Sequence, residues 1–249
     1  MNERWYISTI DEKADVLADK YELGLEIAEY CTAWNMDMYF GETDKKIKAM
    51  LEGKKPPVVH GPFNELFPCA IDLKVRGIAR QRYRQIIEIA HKYNAKKIVL
   101  HAGYNPRLYY PQWYTEQSIE FWKEFVREVP EDIEICLENV FEETIEMFLD
   151  IVRSVDDKRL RICIDIGHIN AYSQIPASLW IRECADYISH FHIHNNSGEV
   201  DTHDSLGDGN IPVKALLDLI DEVCRDVTFT IESMNAEESV KWLVDNKFI

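Results

Sequence analysis

The chain has 249 residues, with 28 Lys and Arg against 44 Asp and Glu, and a formal net charge of −16. Hydrophobic residues at 46% and charged ones at 29% suit a globular chain that buries a core and exclude a disordered one. No apolar run reaches the roughly 18–20 residues that cross a bilayer, and the acidic balance disfavours a broad phosphate-binding surface.

The opening Met1-Asn2-Glu3-Arg4-Trp5-Tyr6 carries no apolar leader. The next elements alternate short β-branched runs with longer amphipathic ones. In chain order, strands are predicted over 5–9, 25–31, 57–61, 97–103, 133–140, 160–167, 188–195 and 227–233. Helices are predicted over 11–21, 44–51, 71–93, 115–129, 142–155, 177–187, 213–223 and 236–246. Pro130 stops one helix and Pro212 sits where an early proline is tolerated. Eight strands alternating with eight helices predict one (β/α)8 TIM barrel over residues 1–249. A doubly wound sheet would call for a glycine-rich phosphate loop, and neither GxGxxG nor GxxxxGK[ST] occurs. The cysteines at 31, 69, 136, 163, 184 and 224 form no CxxC pair, which predicts free thiols in a reducing, cytoplasmic setting.

A barrel carries its chemistry where the strands end. Six consecutive predicted strands end in His60, His101, Glu138, Asp165 (with His168 after it), the alternating His190, His192 and His194, and Glu232. The loop after the seventh strand adds Asp201 and His203. Imidazole nitrogen and carboxylate oxygen are ligands for Zn, Mn, Fe or Co. Four carboxylates gathered without a cation would repel one another, so a divalent-metal site is expected here. Singly, each residue has a plainer role. His60 or His101 would be a hydrogen-bonded structural histidine, Glu138 or Asp165 a helix cap, and His168 an exposed helix residue. Their coincidence on one rim favours the metal site. His190, His192 and His194 point to the same side of their strand, about 6.6–6.8 Å apart, so about one reaches ligand height. Alternation does not choose among them. His91, inside the long helix, reads as a surface or packing residue.

With these residues in place, the chain resembles the xylose isomerase-like TIM-barrel superfamily. The resemblance runs from the third strand to the eighth. Its most specific stretches are Asp165-Ile166-Gly167-His168 and the run from His192 through Asp201-Thr202-His203 to Ile211. That group covers sugar isomerases and 3-epimerases, sugar-phosphate isomerase/epimerase families and the endonuclease IV family. The epimerase pattern implies Glu138, Asp165, His192 and Glu232 as ligands of one metal, with the two glutamates as an acid/base pair. The endonuclease IV pattern implies nine ligands for three zinc ions: His60, His101, Glu138, Asp165, His168, His192, Asp201, His203 and Glu232. The resemblance thus selects His192 over its neighbours. The chain departs from it in three respects. The acidic-residue-and-lysine motif of true xylose isomerases is missing. Asn195, Asn196 and Ser197 stand where epimerases carry an Arg. The loop between His192 and Asp201 is compact, with no segment for penetrating DNA.

The resemblance implies a divalent-metal-dependent isomerase or epimerase of a sugar or sugar phosphate, moving a proton through a metal-stabilised enediolate. His101 and His168 would touch substrate hydroxyls. Phe63, Tyr104, Arg107 and Trp113 would close the pocket over an acidic or phosphorylated tail, ordinary loop packing being their plainer role. The first alternative is an endonuclease IV-like multinuclear zinc hydrolase of phosphate esters, because three divalent ions would overbalance the four carboxylates. The second is a non-catalytic sugar-binding barrel. A small-molecule sugar is the expected partner, with nucleic acid disfavoured, no membrane, and oligomerisation left open.

Overall fold

The computed structural model describes residues 2–249, so Met1 of the opening segment lies outside the described residues. Eight strands form a closed barrel in chain order: β1 (Trp5–Ser8), β2 (Gly24–Ile27), β3 (Val58–His60), β4 (Lys97–His101), β5 (Glu134–Glu138), β6 (Leu160–Asp165), β7 (Ile188–Ile193) and β8 (Thr228–Ile231). Every neighbouring pair is parallel, and β1 pairs with both β2 and β8, which closes the ring. The helices are α1 (Ala14–Tyr21), α2 (Ala33–Asp37), α3 (Phe40–Met50), α4 (Leu73–Lys92), α5 (Pro111–Phe125), α6 (Ile145–Val155), α7 (Ile166–Tyr172), α8 (Ala177–Cys184), α9 (Val213–Val223) and α10 (Ala236–Asp245). This is a (β/α)8 TIM barrel.

Because strand side chains alternate, each strand feeds two cores. Outward residues such as Ile7, Leu25, Val59, Ile98, Ile135, Ile162, Phe191 and Ile231 pack under the helices. Inward residues form a separate lumen layer of Val58, Val99, Cys136 and Cys163, with Tyr6 against it. At the N-terminal end of the barrel, Lys97 donates to Ser189 O (2.6 Å) and Thr228 Oγ1 (3.0 Å). The cysteines are all free, and five of the six are buried. Burial pushes the Cys136 thiol up to about 12, so it stays protonated and unreactive.

Several predicted boundaries move, three of them for a plain local reason. The second strand ends at Ile27 rather than residue 31, because 29–31 is a 3-10 turn in which Thr9 Oγ1 donates to Glu29 (2.6 Å). The sixth ends at Asp165, whose carboxylate caps a helix absent from the prediction, α7. The fifth helix starts at Pro111, ahead of residue 115, because proline is favoured in the first turn. The segment 33–37 is a further short helix. Strand β7 carries one extra residue opposite the Ile162/Cys163 step of β6. Such a bulge shifts the inward phase. His190 and His192 therefore face the lumen while Phe191 and Ile193 enter the outer core.

Candidate metal centre

The C-terminal mouth of the barrel gathers the predicted acids in its floor. His192 Nδ1 lies 3.2 Å from Glu138 Oε1, 2.9 Å from Glu232 Oε2 and 3.8 Å from Asp165 Oδ2. Glu138 Oε2 in turn lies 3.2 Å from His60 Nε2 and 3.4 Å from His101 Nε2. Beside this group, Asp201 Oδ2 lies 3.2 Å from His168 Nε2 and 3.0 Å from His203 Nε2. All nine residues of the larger ligand set are therefore brought to one mouth. His101 and His203 are its most open members, and Glu138, Asp165 and His192 are essentially inaccessible.

Local structure explains each placement. Asp165 does two things at once: Oδ1 accepts from His168 N (2.7 Å) as the α7 cap, while Oδ2 faces His192. His168 on α7 is buried, contrary to the exposed role considered for it. Asn139 joins the ends of β5 and β6, its Oδ1 accepting from Asp165 N (2.9 Å) and its Nδ2 donating to Asp165 O (3.1 Å). Asn195 pairs with Asp204 through two backbone bonds of 3.1 and 2.8 Å, which folds the intervening loop back over the mouth. Asn196 donates to Gly167 O (2.9 Å) and Asp201 Oδ1 (3.4 Å). The asparagines standing in place of the epimerase Arg thus build the loop that carries Asp201 and His203. His203 itself has a φ of 50°, a left-handed conformation that costs a non-glycine residue of order 1–3 kcal/mol.

Four of the rings are oriented by a partner on the far side. His60 Nδ1 donates to Gly61 O (3.0 Å), His168 Nδ1 to Asn139 O (2.8 Å) and His203 Nδ1 to Glu232 O (2.7 Å). Carbonyls only accept, so Nδ1 of each ring carries a proton, and Nε2, pointing at a carboxylate, is the atom left either to take a second proton or to offer a lone pair. His192 is reversed, its Nε2 donating to Glu26 Oε1 (2.9 Å) and its Nδ1 facing the acids. Glu26 on β2 is a member of this network that sequence reading missed. It is completely buried, and it also receives His190 Nε2 (3.1 Å) and the Thr230 hydroxyl. Its only sequence signal was a carboxylate inside an apolar run. His190 is spent in this network and on Thr228 Oγ1 (2.7 Å), below the mouth. His194 donates through Nε2 to both Asp165 oxygens (3.1 Å each).

Among the described residues no Lys or Arg side chain pairs with Glu26, Glu138, Asp165, Asp201 or Glu232, and every ion-pair partner is a histidine. The charges show in the titration. Burial opposes protonation of His168 and His203, yet Asp165 and Asp201 lift His168 to about 10, and Asp201 and Glu232 lift His203 to about 9. Burial dominates at His101 and, with His60 and His168 beside it, drops it to about 4. Despite burial, His192 and neighbouring histidines hold Glu138 and Glu232 below the usual carboxylate range, so both are ionised at neutral pH. Imidazole nitrogens facing carboxylates, with the His60, His168, His192 and His203 rings held from behind by a hydrogen bond, are a donor set that fits a divalent cation.

The expected pocket walls divide. Phe63 stacks on His101 with centroids 4.2 Å apart and planes 12° apart. Tyr104 is buried against Tyr114, Trp113 Nε1 donates to Cys69 O (2.9 Å), and Arg107 lies exposed on its loop. Those three are not brought to the carboxylates. A pair the sequence reading passed over, Phe141 and Tyr172, stands beside His168 with both rings partly exposed. His91 is on the surface, 3.7 Å from Asp132.

A family model described as xylose isomerase-like TIM barrel matches residues 17–246. An uncharacterized protein of Methanocaldococcus jannaschii is 31% identical over 246 residues, covering 94% of this chain and 81% of the relative. Among solved structures, a D-tagatose 3-epimerase-like protein superposes with a TM-score of 0.77 at 25% identity, covering 98% of this chain and 97% of that one. A Thermus thermophilus protein soaked with ZnCl2 superposes with a TM-score of 0.80 at 22% identity, over 99% and 98% of the two chains. That last likeness speaks to the fold.

Proposed function

This chain belongs to the xylose isomerase-like TIM-barrel family, and we propose that it is a divalent-metal-dependent isomerase or epimerase of a sugar or sugar-like polyol. The observation that carries this reading is His192 Nδ1 ringed by Glu138, Asp165 and Glu232 at the barrel mouth. The D-tagatose 3-epimerase-like structure supports the substrate class, and the zinc-soaked neighbour is consistent with a metal in this fold. Glu138, Asp165, His192 and Glu232 would hold the ion, which when bound withdraws electrons from substrate oxygens and acidifies the adjoining C–H.

The side chains supply the rest. Glu232 Oε2 faces His192, while no hydrogen bond or ion pair engages Oε1 among the described residues, leaving that oxygen free to take a proton. Glu138, with both oxygens against imidazoles, is the more tightly held partner of the acid/base pair. His101, neutral at working pH and beside Phe63, is placed to bond a hydroxyl while the aromatic face covers a sugar's C–H surface. Phe141 and Tyr172 form the opposite wall. The mouth offers no permanently charged cation among the described residues, so we favour an uncharged sugar over a phosphorylated one.

The test is exchange of substrate hydrogen with deuterated solvent across a ketose panel, in protein loaded with Mn, Co or Zn. Incorporation at the carbon beside the carbonyl is expected, and Glu232→Gln should lower turnover about 10²–10⁴-fold. No exchange with any ketose, together with alcohol and phosphate release from phosphodiesters, would overturn the proposal. The second reading, a multinuclear phosphoesterase, is favoured by the adjoining His168, Asp201 and His203 group.

A further inference from the structure

Lys97 opens β4 at the N-terminal end of the barrel, across the lumen from the mouth. Its ammonium donates to Ser189 O (2.6 Å) and Thr228 Oγ1 (3.0 Å). Thr228 Oγ1 in turn lies 2.7 Å from His190 Nδ1, and His190 Nε2 lies 3.1 Å from Glu26 Oε2 and 2.9 Å from Thr230 Oγ1. The Thr230 hydroxyl donates to Glu26 Oε2, and Glu26 Oε1 accepts from His192 Nε2 (2.9 Å). A continuous chain of hydrogen bonds therefore runs up the lumen from Lys97 to the ring that faces Glu138, Asp165 and Glu232. Glu26, His190, His192 and Thr230 are all wholly buried.

The direction of this chain follows from its two ends, because an ammonium only donates and a carboxylate only accepts. His190 Nε2 carries a proton to bond Glu26, so the neutral ring presents a lone pair at Nδ1 and takes the Thr228 hydroxyl proton. The other acceptor within reach of that hydroxyl is Ser189 O, at a poorer 3.4 Å, and Lys97 already supplies it. Lys97 thus keeps the threonine proton on His190. His190 then donates towards Glu26, and Thr230, its oxygen engaged by His190, donates to Glu26 as well. Val58, Val99, Cys136 and Cys163 line the neighbouring lumen with Tyr6 against them, and this apolar lining offers no substitute for a lost partner.

We infer that Lys97, from the opposite end of the barrel, is a positioning residue for His192. Through Thr228, His190 and Glu26 it fixes the one-way bonding that leaves His192 Nδ1, rather than Nε2, facing Glu138, Asp165 and Glu232. Without the ammonium, Thr228 is free to turn its proton to Ser189 O and to accept from His190 Nδ1. His190 Nε2 then meets Glu26 lone pair to lone pair and competes for the Thr230 proton. The carboxylate behind His192 is left short of donors in a packed interior, where unmet polar groups are costly. The direction of the chain is a property of the protein alone, whereas its effect on a bound ion rests on the proposed function.

The test has two readouts. Long-range 1H–15N spectra of chelator-stripped protein at neutral pH should show His190 protonated at Nε2 alone. Lys97→Met should alter that pattern, and Lys97→Arg, which still donates, should keep it. A wild-type His190 protonated at Nδ1, or a pattern indifferent to Lys97→Met, overturns the inference. The second readout is titration with Zn2+ against a chromophoric competitor, with no substrate present. Thr228→Val neither donates nor accepts, and should weaken binding at Glu138, Asp165, His192 and Glu232 about 3–10-fold, less than loss of a direct outer partner costs. Thr228→Ser should restore it. In a Glu26→Gln background Thr228→Val should add nothing, and an additive loss would show a loosened barrel and overturn the inference. Should Lys97→Met fail to fold, the wild-type spectrum and the two Thr228 variants decide. Wild-type protein that binds no Zn2+ overturns the proposed function and the positioning role, while the His190 spectra still decide the direction of the chain.

Discussion

Gly167 illustrates how closely single residues are fitted around the mouth. A Cβ at this position would run into the imidazole of His194. Gly167 lies in the first turn of α7, where alanine would otherwise stabilise the helix by up to about 1 kcal/mol. Gly167→Ala should therefore destabilise the wild type by about 1–3 kcal/mol through overpacking. In a His194→Ala background the same change should become neutral or favourable. Equal costs in both backgrounds, measured by denaturant unfolding, would show that the ring is not what the glycine accommodates. Glu26 holds His192 from behind, which under the proposed function makes it a positioning residue. Glu26→Gln should then weaken metal binding at Glu138, Asp165, His192 and Glu232 about 10–100-fold in chelator competition, with an unchanged constant counting against that role. Neither relation is visible in the chain, because Glu26 and His192 are 166 positions apart. The ligand types themselves were legible, since a His, Asp or Glu at the end of each apolar run is a local feature. His194 was legible only as one of three alternating histidines, and the bulge before His190, together with Gly167, decides what each of them touches.

At the scale of elements, the period-2 and period-3.6 patterns found the eight strands and the long helices because burial imposes those periods locally. The missed helix α7 hides behind Asp165, which ends a strand, caps a helix and faces the metal group in one residue. The pairing of α3 with α4 bears on pH. Asp44 on α3 accepts from the Tyr93 hydroxyl (2.7 Å) and pairs with Lys92 (2.8 Å) and Lys48 (3.0 Å). Partial burial pushes its carboxyl up, but Lys92, Tyr93 and Lys48 prevail and bring it from 3.8 down to about 2. A lowered pKa in the folded state means that the ionised form stabilises the fold. That stabilisation is full above about pH 4 and is lost as the pH falls through about 2. Wild type should melt above Asp44→Asn by about 2–4 °C at pH 6. The gap should close as the pH approaches 2, and a constant gap would refute the linkage.

For the whole molecule, the dominant fact is a barrel end where Glu26, Glu138, Asp165 and Glu232 are buried with histidines as their only charged partners among the described residues. Without cations, His60, His168, His192 and His203, whose one N–H is used on the far side of the ring, must take up a second proton or face a carboxylate lone pair to lone pair. Metal binding and folding should therefore be linked. A ligand at about 100 times its Kd adds about 2.7 kcal/mol. Saturation with Zn2+ should then raise Tm by roughly 5–10 °C over chelator-stripped protein. A melting curve indifferent to metal and chelator would remove the basis for a cation at this mouth.

The sequence by itself determined the architecture and the chemical types gathered on its rim. Strand parity, helix periodicity and strand-end residues are encoded within a few neighbouring positions, and eight repeats of one local pattern close into one barrel. Only the tertiary structure decided which ring nitrogen faces which carboxylate, that Glu26 stands behind His192, and that His194 bonds Asp165 and stacks on His203. Those are distances between strands, set by barrel closure, a single bulge and a folded-back loop, and no local pattern in the chain records them.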